Sequence, residues 1–217
     1  MSAALGAATG ELVFSEIMLG QFGGLGEVEK FLTVTIGVYV AGRLVRDPSN
    51  RVMVGVAAIG GTALQLFMGT VVDILKVQFA IEDFEAVAGL PESVFATEGF
   101  AFLNDLLFSG ILFCLLPTLY LVPKLHGKIE PLLGMQPRTP KTALEPLGAK
   151  AVLGCIVGFA AAAGTQMLAK SGMSLVDWEA PWSESMPAFA TAILIAAALC
   201  LVAVLVIRKQ AEQDQRG

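Results

Sequence analysis

The sequence has little charge and almost no histidine. Of its 217 residues only 15% are Asp, Glu, Lys or Arg, 55% are hydrophobic, and the mean hydropathy is +0.73. A soluble domain of this length carries about 25% charged residues, which interrupt its apolar stripes every few positions. The low charge therefore excludes an ordinary soluble domain and indicates an integral membrane protein.

The scarcity of histidine and cysteine limits the cofactors that the chain can hold. The one histidine, His126, lies outside every apolar stretch, so haem and histidine-ligated metals are not expected. Cys114, Cys155 and Cys200 lie in separate apolar stretches at no metal-binding spacing and are interpreted as small apolar residues. The cofactor stays unknown, with bound lipid, quinone and pigment left open. The net charge of −5 without a basic tract argues against nucleic acid as a partner.

Five apolar stretches predict five membrane-spanning helices, at about 28–45, 52–74, 99–122, 148–169 and 187–207. The last four run near or above the ~20 residues that cross a hydrocarbon core. The first reaches this length only if Arg43 extends its side chain back to the membrane surface. We thus divide the chain into an N-terminal outer or interfacial segment (1–26), a single five-span membrane domain (27–208) and an inner polar tail (209–217).

Two further segments are predicted to form short interfacial helices, one at the N-terminus and one in the second outer segment. At the N-terminus, Glu11 and Glu16 argue against a buried position, because each carboxylate at mid-membrane costs roughly 2.5–3.5 kcal/mol. In the outer segment 76–97, apolar residues recur at helical spacing among acidic ones. The predicted fold class is an all-α integral membrane protein, a five-transmembrane-helix bundle with these interfacial helices.

The basic residues alternate between the two sides of the membrane. Most of them follow the first span, follow the third span or lie in the C-terminal tail, including Arg46, Arg51, Lys124, Lys128 and Arg208. Because basic loops stay inside, this pattern predicts the N-terminus outside and the C-terminus inside. The acidic, Ala- and Gly-rich composition favours a bacterial inner membrane, with a thylakoid membrane as the alternative.

A few polar residues inside the predicted spans form a candidate site. Asn104 and Asp105 lie in the third span, Asp73 at the outer end of the second, and Gln65 nearer the middle of the second. Ionisable groups in a membrane mark functional sites by default. Their oxygens could bind a cation, or two carboxylates could share a proton. The alternative is that Asp105 only hydrogen-bonds a neighbouring helix. No metal site and no catalytic residue is assigned.

Small residues predict the faces on which the helices pack. The fourth span presents Gly154, Gly158, Ala161 and Thr165 at helical steps, and the second span presents Gly61. Such faces let backbones approach closely, either within the bundle or against another subunit.

These features favour a non-catalytic role, since no nucleophile or redox ligand is placed for chemistry. The first hypothesis is a structural or accessory subunit of a larger membrane complex, or a homo-oligomer. Its partners would be membrane lipids and other membrane subunits or copies of itself. The alternative is a small oligomeric channel or carrier for cations or protons that uses Asp105 with Asp73. An enzyme acting on lipid ranks last, because the acidic residues are scattered along the chain.

Overall fold

The computed structural model describes residues 1–18, 20–134, 136–139, 148–173 and 178–179, with scattered positions between 187 and 202. That part of the chain is mostly helical. Its helices are α1 (Ser2–Leu12), which continues as a π-helical segment (Val13–Ile17), α2 (Gly26–Leu44), α3 (Arg51–Gln78), α4 (Val94–Asp105), a second π-helical segment (Leu106–Leu115), α5 (Leu116–Leu125) and α6 (Ala149–Lys170), with a 3₁₀ turn at Pro131–Leu133. Two short strands, β1 (Gln21–Phe22) and β2 (Trp178–Glu179), pair antiparallel.

Among the described residues, three helices are long and apolar enough to cross a membrane: α3, the continuous helix Val94–Leu125 and α6. They correspond to the predicted second, third and fourth spans. The predicted first span corresponds to α2, which has 19 residues and carries charges at both ends. The predicted fifth span, 187–207, lies almost wholly outside the described residues, and the tail 209–217 lies outside them entirely. The five-span count therefore stays a prediction.

The helix ends sort by charge into two ends of the bundle. At the acidic end, α2 and α4 begin while α3 and α6 end, and Lys170, the last residue of α6, donates to Glu82 after α3 at 2.9 Å. At the basic end, α2 and α5 finish while α3 and α6 begin. There Arg138 donates to the Gly42 and Val45 carbonyls at the end of α2, at 2.7 and 2.6 Å. The helices α2, α3, Val94–Leu125 and α6 thus run in alternating directions.

The tightest packing in the chain is the crossing of α2 and α3. Gly37 and Gly61 face each other there, so closely that a Cβ at either position would lie 2.8 Å from the other residue's carbonyl oxygen. Ala57, one turn before Gly61, is 1% exposed, and Val54 is 2% exposed. The small residues of α3 therefore pack against α2, as close helix contacts in membranes require.

The N-terminal helix packs along α2, and its predicted interfacial position at the outer surface stays a prediction. Ala4 and Ala8 of α1 are 3% and 0% exposed. Met1 lines a cavity with Tyr39 of α2 and Ala151 of α6, close to the basic end. The other end of this helical segment reaches the acidic end, where Glu16 pairs with Lys30. The segment Ser2–Ile17 is ~24 Å long at 1.5 Å per residue, enough to cover most of a hydrocarbon core.

Lys30 of α2 pairs with both carboxylates of the N-terminal helix. Its ammonium group makes an ion pair with Glu16 and lies 3.6 Å from Glu11 Oε1. The predicted penalty for burying these carboxylates assumed that they had no partner. A cation on the neighbouring helix offsets much of that penalty, because buried charges persist when they are paired.

The second outer segment does not form the predicted surface helix. α3 takes the first residues of this segment and then ends in a left-handed cap at Ala80 (φ +53°), where the Ile81 N–H donates to the Lys76 carbonyl at 2.9 Å. This 6→1 hydrogen bond is the mark of a helix stop. Residues 79–93 then contain no helix. The apolar spacing was therefore a wrong indicator, because of Val77, Ile81, Phe84 and Val87 only Val77 belongs to a helix, α3.

Candidate functional site: a polar groove between three helices

A polar cavity of about 180 Å³ lies at the acidic end, between α2, α3 and α4. Its charged and amide-bearing lining residues are Glu29, Lys30, Gln65, Asp73, Glu98 and Asp105. The volume is far above the ~10–15 Å³ that one water needs, and the walls supply polar partners for water. We call this space the acidic cavity.

Lys76, which is 7% exposed, holds two carboxylates at this end of the bundle, and one of them, Asp73, lines the acidic cavity. Its Nζ lies 2.6 Å from Asp73 Oδ1 and 3.0 Å from Glu82 Oε2. Lys170 also donates to Glu82, and these two ammonium groups, Lys170 first, hold the pKa of the Glu82 carboxyl below its usual value. Asp73 is therefore a fixed ion-pair partner, and Glu82 ties the end of α3 to the end of α6.

The other lining carboxylates are Glu29, Glu98 and Asp105, and none has an ion pair within 4 Å among the described residues. Glu29 and Glu98 are half-buried, whereas Asp105 is exposed in the isolated chain. Asp105 lies two helical turns from Glu98, or about 10 Å along the helix. Carboxyl groups are thus placed at two depths along one wall of the acidic cavity.

A second, larger cavity of about 710 Å³ continues from the acidic cavity towards the basic end. Gln65 and Leu66 line both spaces, and we call the place where the two cavities meet beside them the neck. The polar residues of this lower cavity are Glu11, Thr62, Ser109, Cys114 and Thr118. Its apolar lining extends to Val45, Val54 and Val122, near the basic ends of their helices. Together the two cavities form a groove along α2 and α3.

One wall of the lower cavity belongs to the π-helical segment Leu106–Leu115. Its wider turns are an unusual feature inside a helix, and such segments occur often at functional sites. Gly110 is buried and lets this segment approach Thr62, whose methyl group lies 3.7 Å from the position of a Cβ at Gly110. Thr62 also donates from Oγ1 to Cys114 Sγ at 3.1 Å. The segment is thus fixed against α3 at the level of the neck.

The structure brings three of the four predicted polar residues to one cavity. Gln65, Asp73 and Asp105 all line the acidic cavity. Asn104 is exposed and lines neither part of the groove. Among the described residues, no three Asp, Glu, His or Cys side chains come together closely enough to hold a metal ion.

The predicted packing residues divide into two groups. Gly61 lies at the α2–α3 crossing, and Gly158 lies against Ile36 of α2, whose Cδ1 would be 3.2 Å from an added Cβ. Thr165 is half-buried and donates to a backbone carbonyl of its own helix. Gly154 and Ala161 are exposed, and Gly154 lines the cavity beside Met1 and Tyr39.

The sequence analysis did not single out Glu29, Lys30 or Glu11 as members of a site. Glu29 and Lys30 lie at the start of the least apolar predicted span, where charges usually mark the membrane surface. Glu11 was placed at the surface together with the N-terminal segment. The available signal was the pairing of one lysine with two preceding glutamates, which offset each other's burial.

Comparison with known proteins assigns a family and no activity. The model of a family of unknown function, DUF8171, matches residues 1–216, and the chain belongs to that family. No curated protein matches the chain. No solved structure matches it either.

Proposed function

We propose that this member of the DUF8171 family is a non-catalytic integral membrane protein that passes protons or cations along the groove between α2, α3 and the helix Val94–Leu125. The observation that carries this proposal is the contact of two cavities at Gln65 and Leu66. The groove begins among carboxylates at the acidic end and continues past hydroxyl groups towards the basic end. Intramembrane ionisable groups that face a cavity are typical of ion and proton pathways.

The charge distribution supports the same proposal. Lys30 and Lys76 are each paired with two carboxylates, which leaves Glu29, Glu98 and Asp105 as the acidic cavity's carboxyl groups without an ion pair in the described part of the chain. Such groups can bind and release a proton or a cation, because no fixed ammonium group occupies them. Of the two on α4, Asp105 lies further from the acidic end than Glu98 and is the last residue before the π-helical segment.

The experiment is ion flux into liposomes that contain the purified protein. The wild-type chain should dissipate an imposed ion or pH gradient, and Asp105→Asn should abolish this flux while the fold is kept, since the amide has the same shape and lacks only the charge. Asp83→Asn is the matched control, because Asp83 is exposed in the loop after α3 and lines neither cavity. Flux that is absent from wild type, or equal in wild type and Asp105→Asn, contradicts the proposal.

A second candidate function is a subunit of a larger membrane complex or of a homo-oligomer. It is favoured by the exposed small-residue face of α6, where Gly154 has no atom within 4 Å of an added Cβ. Ala161 lies on the same exposed side. Small residues at such spacing allow a second helix to approach. Native mass spectrometry from mild detergent would reveal a stoichiometric partner or an oligomer, and a monomer without partners would contradict this candidate.

For the topology we propose that the protein lies in the inner membrane of a bacterial cell. Its basic end and its C-terminus would then face the cytoplasm. The position of Met1 beside Ala151 supports an N-terminus on that same side, in contrast to the outside position predicted from the sequence. Single cysteines in a Cys-free protein test this arrangement. An impermeant thiol reagent added to intact cells should label Ser93→Cys, and it should not label Thr139→Cys or Ser2→Cys.

A further inference from the structure

We infer that the species that passes the neck at Gln65 is the proton, and that the Gln65 amide carries it across by holding a hydrogen-bonded chain of water. This inference rests on the proposed function and names its substrate. It follows from the shape and chemistry of the neck, where the acidic cavity and the lower cavity share only two lining residues, Gln65 and Leu66.

The two residues that both cavities share offer a metal cation one side-chain oxygen. A metal ion crosses a narrow site where rings of carbonyl or carboxylate oxygens replace its water shell. Of the shared residues Leu66 is apolar, and only Gln65 carries a side-chain oxygen. Among the described residues, no three Asp, Glu, His or Cys side chains come together as metal ligands. A sodium or potassium ion would therefore gain only one side-chain ligand from these two residues.

A proton needs fewer oxygen ligands than a metal ion, because it moves along hydrogen bonds. The Gln65 side chain has both a donor and an acceptor, so it can accept a hydrogen bond from water on one side and donate one on the other. The polar groups above it are carboxyls such as Asp105, and those below it are the hydroxyls of Thr62 and Ser109. These are the groups that orient water in a relay.

Packing holds Gln65 at this place. Its Cβ lies 3.1 Å from the position of a Cβ at Gly37, so the lack of a side chain on α2 makes room for Gln65. Gly61, one turn earlier on α3, packs tightly against Gly37 as well. The amide is therefore attached to the most closely packed part of the bundle, which limits the positions it can take.

The test compares Gln65→Met, Gln65→Glu and a control in sealed liposomes. Methionine has the length of glutamine without its polar group, and glutamate keeps a polar group at the same place. Gln78→Met is the control, since Gln78 is exposed at the end of the same helix and lines neither cavity. Proton flux is followed with an enclosed pH dye, sodium and potassium flux with ion-selective dyes, and folding by gel filtration and thermal unfolding.

We expect proton flux without sodium or potassium flux in the wild-type protein. Gln65→Met should lower proton flux by about tenfold, as for the loss of one hydrogen-bonded step, while Gln65→Glu and Gln78→Met keep it. Sodium or potassium flux in wild type that Gln65→Met removes would overturn the inference and leave the proposed function standing. Proton flux unchanged in a folded Gln65→Met protein would also overturn the inference alone. Absence of every flux would overturn both.

Discussion

The substitution Gly61→Ala tests the structure at its closest helix contact. An added Cβ at Gly61 would lie 2.7 Å from the Ala41 Cβ and 2.8 Å from the Gly37 carbonyl oxygen. Carbon atoms pack best at about 3.5–4.0 Å, so α2 would have to move away by most of an ångström. Because one of the two atoms belongs to the backbone, a side-chain rotation cannot relieve the contact.

The matched control is Gly60→Ala, the neighbouring position on the same helix. A Cβ there would meet only Leu44 Cδ1, at an ordinary 3.8 Å. Both substitutions gain about 0.8–1.0 kcal/mol from the higher helix propensity of alanine. Overpacking costs typically ~1–3 kcal/mol, and it applies to Gly61→Ala alone. The difference in stability between the two variants therefore isolates the cost of the contact.

Thermal unfolding in detergent, followed by tryptophan fluorescence, measures the effect. Gly60→Ala should unfold at or above the wild-type temperature, and Gly61→Ala should unfold clearly below it. Adding Ala41→Gly to Gly61→Ala should restore part of the loss, since it removes the contact at 2.7 Å and leaves the one with Gly37. Equal stability of Gly60→Ala and Gly61→Ala would refute the assigned α2–α3 crossing.

Three further substitutions test other parts of the fold. Glu82→Gln should lower stability at neutral pH by the ~0.2–1 kcal/mol typical of an exposed ion pair. Because Lys170 lowers the Glu82 pKa below 4.5, this stabilisation should be present above about pH 4.5 and disappear as the pH falls further. Thermal unfolding at two pH values measures the difference. Gly158→Leu should destabilise the fold by ~1–3 kcal/mol, whereas Gly154→Leu should leave the stability of the monomer unchanged. An equal loss of stability in both variants would contradict the packing of α6 on α2. Ala80→Gly should raise the unfolding temperature, because glycine takes a φ of +53° without the ~1–2 kcal/mol that a Cβ costs there, and a lower temperature would contradict the helix cap.

The long apolar helices could be predicted from composition alone. The predicted span 52–74 lies within α3, and 99–122 lies within the helix Val94–Leu125. Runs of this length have few alternatives in a membrane, because every backbone polar group must be satisfied inside the segment. The extra turns at the ends of these helices depend on caps, such as the Asn50 side chain that accepts from Val52 and Met53.

Interactions between distant segments were the part that could not be predicted. Glu11 and Glu16 argued for a surface position of the N-terminal helix until Lys30 was found beside them. In the segment 76–97, periodic apolar residues suggested a helix, but Ala80 stops α3 and the following loop keeps no helical turn. At the N-terminal helix the deciding contact joins two separate segments, whereas at Ala80 it is a local cap, the hydrogen bond from the Ile81 N–H to the Lys76 carbonyl, which apolar spacing does not reveal.

The sequence by itself predicted the class of the protein, because low charge and long apolar runs favour a helical membrane protein. The structure agrees in being mostly helical, with three helices among the described residues that could cross a membrane. It also identified Asp73, Asp105 and Gln65 as polar residues in unusual places. Only the tertiary structure decided that these residues share one groove with Glu29 and that Asp73 is held by Lys76. The physical reason is that a side chain's charge state and role depend on which groups lie within a few ångströms, and those distances arise only when α2, α3 and α4 pack together.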